Sequence, residues 1–287
     1  MPELPEVESV RRGLEKHLPG ARLTSIKALH PRALSPESIA PLESLNGLLI
    51  DQIHRRGKFL WATFNREELV LLAHLGMSGQ FRVFSGLKEM KETLHQHVRM
   101  SAELRKGARA LRLDFVDQRT FGWIRVDRIS PENDRGIPDS IQHIAPDPFE
   151  DEFDRRWVIE RLRSKKSEIK RAILDQSTLS GVGNIYADEA LWRARIHPER
   201  LANSLTEAEI RTLLSSIRSV MKRALQAGGT SFDHLYVNVN GESGYFSTRL
   251  AVYGREDEAC RRCARQIKRI SFTNRSSHFC PYCQRSR

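Results

Sequence analysis

The sequence predicts an α+β chain of more than one domain, and three observations carry the prediction. Behind a short N-terminal helix, residues 23–128 are β-rich, with segments that read as an antiparallel β-sandwich core. Past a stretch rich in proline and glycine at 131–150, the apolar pattern becomes helical. The C-terminal stretch 246–287 holds all four cysteines as two C-x-x-C pairs. A length of 287 residues leaves room for two domains with proper cores.

The first helix starts at Pro5. Proline suits a first helical turn, Glu6 and Glu8 complement its positive end, and Val7, Val10, Leu14 and Leu18 form one apolar stripe before Pro19-Gly20. Glu6 reads as a support for backbone N–H groups at the helix start. In the β-rich region Leu111, Leu113 and Phe115 alternate with Arg112 and Asp114, the pattern of a half-buried strand. The segments 58–64 and 69–73 are more continuously apolar. Three glycine-bearing loops interrupt them: Arg55-Arg56-Gly57-Lys58, His74–Gly79 and Asp117–Gly122. Residues 131–150, with Pro131, Gly136, Pro138, Pro146 and Pro148, read as a linker. Ser167-Glu168 then opens a short helix, and the turn Ser180-Gly181-Val182-Gly183-Asn184 feeds a helix over 185–195. Ser204 and Glu207 form a capping-box pattern ahead of the apolar face Ile210, Leu213, Leu214, Ile217, Met221 and Leu225, and Gly228-Gly229 ends that helix. The segment Thr230–Phe246 is polar and turn-rich, and reads equally as a surface connection or a lid.

Lys+Arg 47 against Asp+Glu 36 gives a formal net charge of +11, which fits a polyanionic partner, nucleic acid before an anionic membrane. No apolar run suits a membrane span and the N-terminus lacks the apolar core of a signal peptide, so the expected location is the cytoplasm. Four clustered cysteines are too few for a secreted disulfide scaffold. Cys260-Arg261-Arg262-Cys263 and Cys280-Pro281-Tyr282-Cys283 instead offer four thiolates to one tetrahedral Zn2+, with a hairpin's length between them. With every position filled by sulfur no place is left for a bound water, so this zinc stabilises folding rather than catalyses.

Two further stretches carry chemistry. Removal of Met1 would leave Pro2 as a secondary amine; an unperturbed α-amino group has a pKa of about 7.7–8.0, neutral and nucleophilic in part near pH 7, and Glu3 lies beside it to carry protons. The glycine turn at 181–184 precedes a helix, where backbone N–H groups favour a phosphate, and Asn184 adds a side-chain donor.

Pro2-Glu3-Leu4-Pro5-Glu6-Val7-Glu8, His74–Gly79, Asp117–Gly122, Gly181–Ala187 and the four-cysteine ribbon together resemble the bacterial formamidopyrimidine-DNA glycosylases, from the first residues to the last. The resemblance implies a β-sandwich catalytic domain over 1–130, a linker over 131–150, a helix–two-turns–helix DNA-binding domain over 151–245 and a zinc ribbon over 246–287. It implies a bifunctional glycosylase and AP lyase of base-excision repair that turns oxidised purines out of damaged double-stranded DNA, acts as a monomer at the nucleoid and needs no organic cofactor. By the family pattern Pro2 attacks C1′, Glu3 gives the proton that opens the sugar, Lys58 assists β-elimination and Arg275 the later δ-elimination. Met77, Arg119 and Phe121 fill the void left by the extruded base, and His95, Lys166 and Asn184 contact DNA phosphates. From the residues alone Lys58 reads as a solvated charge, Met77 as core packing and His95 as a surface histidine; the resemblance decides otherwise.

Two departures stand out: Thr120 where a basic residue is usual, and Ser231-Phe232-Asp233-His234 where many members carry a lysine in the base-capping loop. An endonuclease VIII-like activity on oxidised pyrimidines is the near alternative, disfavoured by Leu4 and the Met-Arg-Phe triad. A non-catalytic zinc-dependent DNA-binding protein is the distant one, disfavoured by the intact Pro2-Glu3 pair.

Overall fold

The computed structural model describes residues 2–65, 68–85, 94–228 and 250–286. The expected segment Thr230–Phe246 lies outside the described residues. The chain divides into two compact units. Among the described residues the first comprises Pro2 and Glu6–His143, and the second comprises Glu3–Pro5 and the chain from Ile144 on.

Helix α1 (Leu4–His17), which belongs to the first unit from Glu6 on, turns Val7, Val10 and Leu14 into that unit's core, and Leu18 just past its end joins them, as the apolar stripe predicts. Two antiparallel four-stranded sheets follow. One has the order β1 (Arg22–Ala28), β6 (Val98–Lys106), β7 (Arg109–Val116), β5 (Gln80–Ser85); the other has β2 (Ile50–Arg56), β3 (Phe59–Phe64), β4 (Leu69–His74), β8 (Trp123–Arg128). Ile26, Met100, Leu113 and Phe115 from one sheet share a core with Ile53, Leu60, Ala73 and Val126 from the other. Strand β7 corrects the half-buried reading, because Arg112 and Asp114 are buried as well. They pair at 3.1 Å, Ser101 Oγ donates to Asp114, and the Arg112 guanidinium lies over the Phe84 ring, so a polar face can be covered.

Glu8 ties α1 to the β2–β3 hairpin. Its carboxylate accepts from Arg11, Arg12 and, at 3.0 Å, Arg55 Nε. Burial opposes its ionisation, but these guanidinium partners prevail and hold its pKa down to about 2. A depressed folded-state pKa stabilises the fold above the ordinary carboxylate value, and that contribution is lost as pH falls from about 4.5 through about 2. Glu8→Gln is expected to lower unfolding free energy at pH 7 by about 3 kcal/mol and to flatten the acid limb, as denaturant titrations at a series of pH values would register.

In the second unit, α2 (Arg155–Arg163), α3 (Ile169–Leu174), α4 (Asn184–Ala194) and α5 (Glu207–Gln226) share a second core with Leu4. The capping box of α5 lies two residues beyond the expected pair. Thr206 Oγ1 accepts from Glu209 N and the Glu209 carboxylate accepts from Thr206 N, while Ser204 donates to Leu201 in a preceding 3-10 turn. Strands β9 (Lys268–Phe272) and β10 (Arg275–Phe279) form the hairpin expected between the cysteine pairs. Among the described residues no helix is long and apolar enough to cross a membrane.

Candidate active site

In the second unit, Glu3 is 1% exposed and its carboxylate accepts from Gly183 N at 2.8 Å, Ile185 N at 2.8 Å and Tyr186 N at 3.2 Å. These N–H groups open α4, whose N-cap residue Gly183 provides no side-chain cap. A carboxylate there satisfies orphan donors and meets the positive end of the helix dipole. Leu4 N donates to Gly181 O at 3.1 Å, so the turn grips two successive residues of the N-terminus. A Cβ on Gly183 would lie 2.3 Å from Glu3 Cδ, and one on Gly181 2.6 Å from the Leu4 side chain. The two glycines are thus required for close approach. This corrects the reading of the turn as a phosphate cradle: the anion it receives is Glu3. Asn184 donates its amide to Ser276 O at 3.0 Å.

In the first unit, Pro2 is buried. Lys58 occupies the second place of the two-residue turn between the paired residues Arg56 and Phe59, after Gly57 at φ +55. It is 7% exposed, which corrects the picture of a solvated charge. His74 feels that charge. Burial first, and then Lys58, push its pKa down to about 4, so its imidazole is neutral at pH 7. Its Nδ1 accepts from Gly76 N at 3.1 Å, and its ring packs on Phe59 and Trp123. His74 was legible only as the first letter of a glycine loop.

The loops His74–Gly79 and Asp117–Gly122 press against one another, since a Cβ on Gly76 would lie 2.4 Å from Gly122 N. Fully buried Asp117 locks them, accepting from Ser78 Oγ at 2.5 Å, Arg119 N at 3.1 Å and Gly122 N at 2.7 Å. Among the side chains this leaves in solvent are Met77, 43% exposed, Phe121, 56% exposed, and Arg119. Met77 is therefore not core packing. Thr120 between them has φ +54, and its hydroxyl accepts from Arg99 Nε at 3.0 Å, a local use for the departure noted above. His95 is exposed; partial burial, then Arg82, His97 and Arg99, hold its pKa below the usual histidine value.

In the second unit, Lys166 is exposed between α2 and α3, and Arg275 is exposed at the start of β10. The sulfurs of Cys260, Cys263, Cys280 and Cys283 lie within 4.8 Å of one another. A zinc tetrahedron with Zn–S near 2.3 Å has edges of about 3.8 Å, so the group fits. Burial raises the Cys260 thiol, but N–H groups of Arg262 and Trp192 outweigh it and bring it down to about 6. Burial and the neighbouring sulfurs push Cys283 up to about 12. Four thiolates side by side thus call for a dication.

Profiles of the formamidopyrimidine-DNA glycosylase N-terminal domain, of its H2TH domain and of the zinc finger found in FPG and IleRS match residues 1–124, 144–235 and 257–285. A formamidopyrimidine-DNA glycosylase of Corynebacterium urealyticum is 49% identical over 292 residues, covering 100% of both chains. The chain belongs to the formamidopyrimidine-DNA glycosylase family. Another member, from Mycobacteroides abscessus, is 50% identical over 99% of this chain and 98% of its own. Among solved structures, the Lactococcus lactis Fpg in complex with DNA containing an abasic site superposes with a TM-score of 0.82 at 33% identity, covering 99% of this chain and 100% of that one. MutM in complex with DNA containing carbocyclic 8-oxo-G gives 0.83 at 33% identity with the same coverage. The family's zinc finger is the ribbon described above, and its four cysteines hold one structural zinc ion.

Proposed function

We propose that the protein is a bifunctional DNA glycosylase and AP lyase that excises oxidised purines from double-stranded DNA. The observation that carries this reading is the buried Glu3 carboxylate seated on the first turn of α4, directly beside Pro2 in sequence. Relatives described as formamidopyrimidine-DNA glycosylases, and family structures with abasic and 8-oxo-G DNA, support the substrate class.

In this reading the Pro2 nitrogen, freed of Met1, attacks C1′ of an extruded nucleotide. As the base departs with the C1′ bonding pair, Glu3 takes the proton that the Pro2 nitrogen sheds and delivers it to the ring oxygen, the C1′–O4′ bond breaks to open the sugar, and an iminium links C1′ to Pro2. Lys58, buried at its hairpin turn, assists removal of the C2′ proton and loss of the 3′ phosphate. Arg275 assists loss of the 5′ phosphate. Met77, Arg119 and Phe121 occupy the vacated stack: Arg119 donates to the edge of the unpaired base, while Met77 and Phe121 pack against its neighbours. His95, Lys166 and Asn184 contact phosphates, the net charge of +11 draws the polyanion, and the enzyme works as a monomer at the nucleoid.

Base release from duplexes carrying 8-oxoguanine, a formamidopyrimidine or an oxidised pyrimidine tests this substrate class. Rapid release of both purine lesions is expected; release confined to the pyrimidine would favour the endonuclease VIII-like reading. In the same assay Glu3→Gln is expected to slow release by about 10²–10⁴-fold, the usual worth of a positioned proton carrier. Gly183→Ala, whose Cβ would meet the Glu3 carboxylate at 2.3–2.4 Å, is expected to slow it on the order of 100-fold with DNA binding retained. Normal turnover in Gly183→Ala would show that the seat of Glu3 is unimportant.

A further inference from the structure

Helix α4 carries consecutive acids, Asp188 and Glu189, and both are buried. Glu189 accepts from the backbone N–H groups of Ala251, Val252 and Tyr253. Asp188 is occupied differently. Its Oδ1 meets Lys170 Nζ at 2.6 Å and accepts from Ser277 Oγ at 2.8 Å, and its Oδ2 accepts from His278 N at 2.8 Å. Lys170 Nζ also donates to Ser276 O at 3.0 Å and lies over the Phe272 ring. Asn184, one helical turn before Asp188, donates to the same Ser276 carbonyl. Both members of the ion pair have fully buried side chains. A buried pair is a weak source of net stability, because desolvation offsets its attraction, but it fixes geometry sharply.

The geometry it fixes is that of strand β10. Ser276, Ser277 and His278 are the three residues after Arg275, and each is held by α4 or by the lysine paired with it. Arg275 itself pairs with Phe272 across the hairpin, directly before the clamped residues, and is exposed. The N-terminus of the same helix seats Glu3. One rigid element therefore sets both the residue assigned to the first step and the strand of the residue assigned to the last.

We infer that the Asp188–Lys170 pair is a positioning device for Arg275, registering β10 against α4 so that the guanidinium meets the departing 5′ phosphate. The inference rests on the proposed role of Arg275. In that step a proton leaves C4′, its electron pair enters the conjugated chain, the C5′–O bond breaks and the phosphate departs with the bonding pair. A guanidinium displaced by an ångström loses its hold on the phosphate oxygen as charge builds there, while the attack of Pro2 and the proton transfer from Glu3 are already complete. The clamp should therefore govern the second elimination and leave the covalent step untouched.

The test uses the full-length zinc-loaded protein and a duplex with one abasic site, in single turnover. Three signals are read: borohydride trapping, the ratio of β- to β,δ-elimination products, and bound zinc. The double variant Asp188→Asn/Lys170→Met removes both charges without orphaning one, and Ser277→Ala removes a single bond to Asp188. The double variant is expected to trap as the parent does, to keep its zinc and to slow the δ step on the order of 100-fold, so that β product accumulates. Ser277→Ala should shift the ratio the same way by less. A parental product ratio in the double variant overturns the inference, as does loss of trapping, δ step and zinc together, which would mark the pair as merely structural. Arg275→Ala separates the two levels. If it leaves the δ step intact, the role of Arg275 fails and the inference with it; if it abolishes the step while the double variant does not, only the inference fails.

Discussion

A chain that retains Met1 is expected to release no damaged base and to form no covalent adduct, however tightly it binds DNA. With Met1 in place the Pro2 nitrogen is part of a tertiary amide, and its lone pair is delocalised into the carbonyl. Without Met1 it is a secondary amine, and the ordinary pKa of an α-amino group, about 7.7–8.0, leaves an appreciable neutral fraction near pH 7. The difference is between a nucleophile and none, so the expected loss of base release and of lyase activity is complete. A preparation extended by an uncleavable N-terminal tag, compared with one shown by intact mass to begin at Pro2, supplies the pair. Equal activity in both would remove Pro2 from the mechanism.

Removal of zinc is expected to have the second largest effect. The finger's own core is small, Val252, Cys260, Ile267 and Cys280 with Trp192 against it, and two of those residues are zinc ligands. So small a cluster cannot offset the chain entropy of ordering the ribbon. Structural zinc supplies about 10–16 kcal/mol in comparable finger peptides at neutral pH. Chelation is therefore expected to unfold the ribbon and release β9–β10, with Arg275, while the sandwich, which has a separate core of its own, stays folded. Amide exchange after metal removal would show protection lost in 260–283 and kept in the strands of the first unit. Protection kept in both would mean that the finger stands without its ion.

How much of this was legible in the sequence depended on whether a signal was local. Helix α1, the cysteine ribbon and the apolar face of α5 follow from periodicity and spacing over a few turns, and the structure has them where the sequence placed them. The capping box was misplaced by two residues because Ser204 and Thr206 each precede a glutamate by three, and only the backbone decides between them. The glycine turn at 181–183 announced an anion at a helix start, but spacing cannot say which one. Glu3 stands 180 residues away in sequence from Gly183. Arg112 and Asp114 read as the polar face of a half-buried strand, and Lys170 and Asp188 carried no signal at all, since a buried ion pair joins residues that no local pattern connects. Exposure of Met77, Arg119 and Phe121 came from two loops locked by Asp117, a contact between distant segments, and only the resemblance had pointed to it.

Every later step of the proposed reaction depends on Pro2 being the nucleophile. The most direct test of that role is to incubate the protein, begun at Pro2, with a duplex carrying 8-oxoguanine, reduce with borohydride, and map the adduct by peptide mass. A stable protein–DNA crosslink carried on the N-terminal peptide at Pro2 is expected. A crosslink on Lys58 or any other lysine, or no crosslink from a protein that still releases the base, would contradict that role.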